Sequence, residues 1–393
     1  MRITYIHQHF LMPDEAGIQR PWQFARRLAA EGHEVTILCG GADALETVRE
    51  GVRIIRLEVP YDNSMSTGRR MRSFIDFMAR STWLAARSRA DLVFASSTPL
   101  TTAVPGMLGA AVQRAPFVFE VRDLWPEVPI ELGVIRSKPL IAAAKTLEHI
   151  AYRAARHVVA LSPGMADGVR RASPNTDVTV VPNASDIEEF APARAEREVV
   201  RAELGWGEEE TVLFYAGGFG AIYGLSWLVE LAAELVKRGE PFRVVMCGEG
   251  AHSDYLKDIA RRRGLDPGEI FMGMVPHEQV QRMLPAADYA VSTVIAERSL
   301  EDASINKVFD ALGAATPIIF NHGGWLSELV TAHGAGLRLE RDPKLAADGL
   351  TAHGSGSGVR SSMAERAHQL ARDEFDRRKL FERFHGVLSA AAR

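Results

Sequence analysis

The sequence predicts an α/β protein of two doubly wound, mostly parallel-sheet domains facing across a central cleft. Three observations lead there. Short apolar runs alternate with helical patterns along nearly the whole chain, which is the mark of βαβ units. The alternation breaks once, at residues 182–200 (PNASDIEEFAPARAEREVV), where prolines, an asparagine and a charge cluster read as a polar linker, and then restarts. The length of 393 residues exceeds one core and suits two domains of roughly 190 residues. The expected domains are 1–185 and 195–374, with a terminal helix over about 375–393 crossing back onto the first.

In the first half the strand-like runs are RITYIHQ, EVTILCG, VRIIRLEV, DLVFAS, FVFEV, HVVALS and VTVVPN. Between the first two, Ile18, Trp22, Ala25, Leu28 and Ala29 recur at helical spacing, and Gly32 stops the helix. Gly17 stands at its start, where a glycine lets a ligand approach the backbone and where such folds hold anions. A turn glycine needed only for geometry is the alternative. The second half runs TVLFYAGG, FRVVMCGEG, IFMGMV, YAVSTV, PIIFN and GLRLE, with a helix at 225–238 among the connections. Both halves therefore read as Rossmann-like, and ligands in such sheets bind outside the carboxyl ends of the strands. Gly217, Gly218 and Gly220, then Gly248 beside Glu249 with Gly250, then Gly323 and Gly324, collect at successive strand exits. HGSGSG at 353–358 reads as flexible, and 363–393 as helical.

Composition excludes several classes. A formal net charge of -4 argues against nucleic acid as a partner, and no apolar run approaches the roughly 20 residues of a membrane span. The chain enters its first strand without an apolar h-region, so a cytoplasmic location is expected. Cys39 and Cys247 lack metal or redox spacing and read as buried hydrophobes. No G-x-S-x-G, phosphate-binding G-x-x-x-x-G-K-[ST] loop, zinc spacing or Asp-x-Asp is present. A site without metal, built on helix N-termini, glycine amides and a lysine, is the better match.

The stretch 302–317, DASINKVFDALGAATP, concentrates the chemistry. Ser304 is expected to cap a helix whose first turn holds Asn306 and Lys307, with Val308, Ala311 and Leu312 as its apolar stripe. Amides of that turn and the Lys307 ammonium suit a phosphate, and Asp310, one turn on, can accept two hydrogen bonds from a ribose diol. A capped surface helix with a solvated Lys and Asp is the bland alternative. The second concentration is FEVRDLWPEVP at 119–129, which brings Glu120, Arg122, Asp123, Trp125 and Glu127 to a strand exit. Asp123 could take a proton or orient a hydroxyl, and Trp125 could stack on a sugar ring. His7 and His9 end the first strand, as cleft lining or as scaffolding. Between residues 68 and 90, Arg69, Arg70, Arg72, Arg80, Arg87 and Arg89 face one acid, Asp76, among Phe74, Phe77, Met78 and Trp83. Against a mildly acidic chain that mixture favours peripheral contact with anionic lipid over an ordinary amphipathic helix.

In order, Gly17, EVRDLWPE, YAGGFGAIYGL, CGEG and NKVFDALGAATPII resemble the GT-B glycosyltransferases of family 4, especially bacterial sugar transferases of O-antigen and capsule assembly. The resemblance covers nearly the whole chain. It implies a nucleotide-sugar donor as substrate, expected to be a UDP-sugar, no separate cofactor and no metal. It further implies transfer with retention to a hydroxyl of a glycan, lipid-linked or small-molecule acceptor, in cell-surface polysaccharide assembly at the inner face of the membrane. Gly17, Gly217, Gly218, Gly220, Gly248, Glu249, Ser304, Asn306, Lys307 and Asp310 would then hold the donor. Arg122, Trp125 and Glu127 would hold the acceptor, and Asp123 and Asp302 would be catalytic. Asp302 and Asp310 match a family carboxylate pair eight residues apart, where glutamates are commoner. The chain departs from the pattern in carrying Gly218 and Tyr223 at places usually basic, which leaves the diphosphate to Lys307, glycine amides and Arg20 or Arg122. It also carries Arg122 where a histidine is usual. A GT-B sugar-nucleotide epimerase, a soluble natural-product glycosyltransferase and a non-catalytic sugar-nucleotide binder remain open.

Overall fold

The structure, a computed structural model, describes residues 1–12, 20–62, 65–353 and 357–393. The predicted role of Gly17 and the central part of the HGSGSG stretch lie outside the described residues. Contacts divide the chain into two units: Met1–Pro182 with Asp302–Ser304 and Arg378–Arg393, and Asn183–Glu301 with Ile305–Arg377.

The first unit holds β1 (Arg2–Ile6), β2 (Glu34–Gly41), β3 (Leu45–Arg49), β4 (Val52–Glu58), β5 (Leu92–Ser96), β6 (Phe117–Val121), β7 (His157–Ala160) and β8 (Val178–Val180). They form one sheet in the order β3-β4-β2-β1-β5-β6-β7-β8, parallel throughout except for the antiparallel β3–β4 pair. β5 and β6 are buried at every position, which is why LVFAS and FVFEV read as continuous rather than alternating apolar runs. The chain winds outward from β1 first through β2 and then, reversing, through β5. That reversal opens a crevice at the carboxyl ends of β1, β5 and β6.

The helix Thr67–Ala85 lies over this sheet through Ser73, Phe77, Ser81 and Ala85, all buried. The inner face is small because the helix Ala103–Gln113 comes close; a Cβ on Gly109 would meet that of Ala85 at 2.6 Å. Its exposed face carries Arg72, Ile75, Asp76 paired with Arg80, and Trp83, and just past its end the Arg87 guanidinium lies 4.2 Å from the Trp83 ring centre. Of the aromatic residues in this basic stretch, only Trp83 is exposed. Phe77 is core, and Phe74 stacks on Tyr61 at 5.4 Å. At the opposite end of the chain, the helix Arg377–Ala391 enters this unit's core through Phe384, whose ring lies 4.8 Å from Phe24 and 5.1 Å from Phe94.

The second unit holds β9 (Thr211–Ala216), β10 (Phe242–Cys247), β11 (Phe271–Gly273), β12 (Tyr289–Ser292), β13 (Ile318–Phe320) and β14 (Gly336–Arg338). All pair in parallel in the order β11-β10-β9-β12-β13-β14, so its reversal falls between β9 and β12. The predicted polar linker is largely helical instead, over Ile187–Ala195 and Arg197–Glu203. Two of its arginines bind inward: Arg197 and Arg201 both donate to the buried Asp288, at 2.6 and 3.1 Å, and Phe190 and Val200 are buried as well. Charge density there is the signature of an anchored helix pair rather than of solvent. Among the described residues no helix is long and apolar enough to cross a membrane.

Candidate active site

In the second unit the exit of β9 is stitched to its neighbours by backbone alone. The Gly217 amide donates to the Cys247 carbonyl, that of Phe219 to Glu249 and that of Gly248 to Gly273, at 2.8–3.0 Å. Among the described residues the Gly218 and Gly220 amides carry no such backbone bond and are available as donors. Gly248 has φ +138, and a Cβ there would stand 1.9 Å from the Gly217 carbonyl oxygen, so only glycine permits this approach. Gly217, at φ +151, similarly leaves space for the Lys307 ammonium, 3.2 Å from where a Cβ would be.

Lys307 opens the helix Asn306–Gly313, whose Val308, Phe309, Ala311 and Leu312 are buried. The Val308 amide returns to the Ile305 carbonyl, while among the described residues those of Asn306 and Lys307 have no acceptor and can meet a ligand. The predicted Ser304 cap is not made: Ile305 occupies the cap position, no side-chain cap bond forms, and Ser304 groups with the first unit. The Lys307 ammonium lies 3.7 Å above the Tyr215 ring and 4.7 Å from that of Tyr223. Burial lowers it to about 7, although Asp310 pulls the other way. An ammonium held between two rings, with no carboxylate salt bridge among the described residues, is a cation ready for an incoming anion. Tyr223, at a place where a basic residue was expected, thus helps position Lys307.

Asp310 is pushed up to about 7, by burial first and then by Asp186, with Arg377 opposing and Glu189 adding to the rise. Asp186 is itself ion-paired with Arg377. Asp302 belongs to the first unit, its carboxylate lying against Gly164 in the space a Cβ would take. Glu249 is exposed. At the exits of β12 and β13, the Asn321 side chain accepts from the Val294 amide at 3.1 Å, and the Ser292 hydroxyl meets His322 Nε2 at 3.3 Å. Burial lowers His322 to about 4, which keeps it neutral.

In the first unit the β5 and β6 exits carry a second polar group. Glu120, 1% exposed, accepts from Arg20 Nε and Nη2 at 3.1 Å through one oxygen and from the Ser96 hydroxyl at 2.6 Å through the other. Arg20 also donates to the Val181 and Pro182 carbonyls. Its guanidinium is therefore engaged within the fold, so Arg20 does not serve the diphosphate as had been considered. Asp123 accepts from the Thr98 hydroxyl at 3.0 Å, and burial raises it despite the opposing charge of Arg122. The Arg122 amide donates to Ser97 Oγ at 2.9 Å, while among the described residues its buried Nη1 has no hydrogen-bond partner. Trp125 packs half-buried on the hydrophobic core, and the charge of Glu127 acts on Glu148 and Tyr152. Sequence reasoning overlooked Tyr215 and Gln8, whose relevance lies only in what the fold places beside them. Among the described residues no group of three or more His, Cys, Asp and Glu side chains could hold a metal ion.

Residues 17–184 match the family model described as a glycosyl transferase 4-like domain, and residues 196–370 the model described as glycosyl transferases group 1. The chain is 23% identical to 2-deoxystreptamine glucosyltransferase of Streptomyces kanamyceticus, over 78% of this chain and 86% of that protein. The curated relatives with the strongest matches are aligned over less than half of their own length. Among solved structures, sucrose-phosphate synthase from Thermosynechococcus elongatus superposes with a TM-score of 0.79 at 17% identity, covering 98% of each chain. Anabaena HepE in complex with UDP and glucose does so with a TM-score of 0.71 at 17% identity, over 99% of this chain and 100% of that one.

Proposed function

We propose that this chain, which belongs to the GT-B glycosyltransferases pairing a 4-like domain with a group 1 domain, moves a sugar from a nucleotide donor to an acceptor hydroxyl. The observation that carries this is the seat at the second sheet's reversal: the Gly218 and Gly220 amides, the Asn306–Gly313 helix N-terminus and the ring-held Lys307, with Asp310 one turn along. A diphosphate satisfies the first three and a ribose diol the fourth. UDP is the favoured carrier, on the strength of the solved relative that holds it.

The second unit takes the donor and the first takes the acceptor, a glycan or lipid-linked sugar in cell-surface polysaccharide assembly. Retention follows if the acceptor hydroxyl attacks the anomeric carbon from the face the phosphate leaves. The new glycosidic bond forms as the carbon–oxygen bond to phosphate breaks, and the leaving phosphate oxygen takes the hydroxyl proton. Lys307 and the amides carry the charge that grows on that phosphate, so no metal is required. Asp302 orients donor hydroxyls and Asp123 the acceptor hydroxyl. The arginine and tryptophan stripe of Thr67–Ala85 brings the protein to anionic lipid at the inner membrane face.

A thermal-shift screen against UDP, GDP, ADP and dTDP sugars, with and without EDTA, tests this reading. A ligand at about 100 times its dissociation constant adds about 2.7 kcal/mol. The expected result is a shift with uridine nucleotides, unchanged by EDTA and lost in Asp310→Ala. Absence of any nucleotide shift would refute the donor site.

A further inference from the structure

The crevice end of the first sheet holds polar atoms that the fold leaves unsatisfied. His7 and Gln8, directly after β1, are 5% and 1% exposed. Among the described residues, His7 Nδ1, both Gln8 amide atoms and Arg122 Nη1 are buried without hydrogen-bond partners. Leaving such atoms unpaired costs about 1–3 kcal/mol each, more for a charged group, so a cluster of them marks a site awaiting a ligand. Arg122 lies within electrostatic reach of His7 and His9. The nearby buried carboxylate, Glu120, has both oxygens occupied by Arg20 and Ser96, and among the described residues Arg122 makes no ion pair. The Arg122 guanidinium feels the charge of the buried Asp123 without forming an ion pair to it among the described residues, and His7, within its electrostatic reach, and Gln8, next in the chain, supply neutral hydrogen-bonding groups at the same strand exit.

We infer that Arg122, His7 and Gln8 form an anion subsite that takes a carboxylate or phosphate carried by the acceptor. An oxyanion satisfies the guanidinium fork in a bidentate manner, which a neutral sugar hydroxyl does not. The inference rests on the glycosyltransferase reading and narrows its acceptor to an acidic one, such as a uronic acid or a phosphorylated sugar.

The test is a calorimetric titration of the full chain with inorganic phosphate and, separately, with glucuronate, each with UDP saturating so that the donor seat is filled. One saturable site is expected, weakened at least tenfold in Arg122→Gln and partly restored in Arg122→Lys, while UDP affinity changes less than twofold. Gln8→Leu, with melting temperature as the control for folding, should weaken the anion severalfold. Anion binding abolished by UDP would assign the subsite to the donor diphosphate and overturn the inference. So would equal anion binding by the parent and Arg122→Gln. If UDP itself fails to bind, the donor reading falls, and titration of Lys307→Ala without UDP still decides whether Arg122 holds an anion.

Discussion

Asp310 and Lys307 titrate near neutrality for opposite reasons of sign. The folded carboxyl of Asp310, at about 7, binds its proton more tightly than in the unfolded chain. Stability from the neutral form is therefore present at pH 4 and lost as pH climbs to about 7. Asp310→Asn should leave urea stability unchanged at pH 4 and raise it by on the order of 1 kcal/mol at pH 8, allowing for the solvent that reaches this side chain. Lys307, depressed to about 7, is largely uncharged at pH 8. A bound diphosphate favours its ammonium, so UDP binding at pH 8 should take up a proton, measurable by calorimetry in buffers of different ionisation enthalpy and absent in Lys307→Met. Lys307 and Asp310 were legible as candidates because a lysine and a carboxylate one turn apart open a helix. The Tyr215 ring beneath the ammonium was not, since only the parallel sheet brings β9 to that helix.

At the scale of elements, the glycine exits act as backbone joints rather than as separate turns. Gly248→Ala would force a Cβ to 1.9 Å from the Gly217 oxygen, separating β9 from β10 at the proposed donor seat. It should destabilise the chain by more than about 3 kcal/mol in urea unfolding. The helix Thr67–Ala85 makes the reverse case, since Ile75 and Trp83 are 54% and 57% exposed and removing them leaves the core intact. A double change, Ile75→Ser with Trp83→Ser, should cut co-sedimentation with phosphatidylglycerol vesicles about tenfold while melting shifts by less than about 2 °C. The parallel strands were legible because burial on both faces makes their sequences continuously apolar. β3 escaped notice because LETVR is a half-charged edge strand, and 187–203 because two of its arginines turn inward onto Asp288.

Across the molecule, alternating strands and helices showed two parallel sheets, and the strand order then located both reversals, where the candidate residues gather. Sequence alone could not show which polar atoms would be left unpaired. Arg20 and Arg122 look alike in the chain, yet one is engaged by Glu120 and the other is not. Breaking that buried pair with Arg20→Met would strand the Glu120 charge and should cost about 3–5 kcal/mol in chemical denaturation.

The first unit is assembled from three separate stretches of chain, its last helix arriving only after the second unit is complete. Phe384 closes the space between Phe24 and Phe94, so residues 1–182 by themselves lack part of their own core. Gene order and spatial order therefore differ, and the first unit cannot be exchanged between relatives as one continuous cassette. A chimera replacing 1–182 alone should be expressed insoluble, whereas one that also carries the matching 378–393 should recover a cooperative melt. Any property carried by the first unit is thereby encoded in stretches lying on both sides of the second.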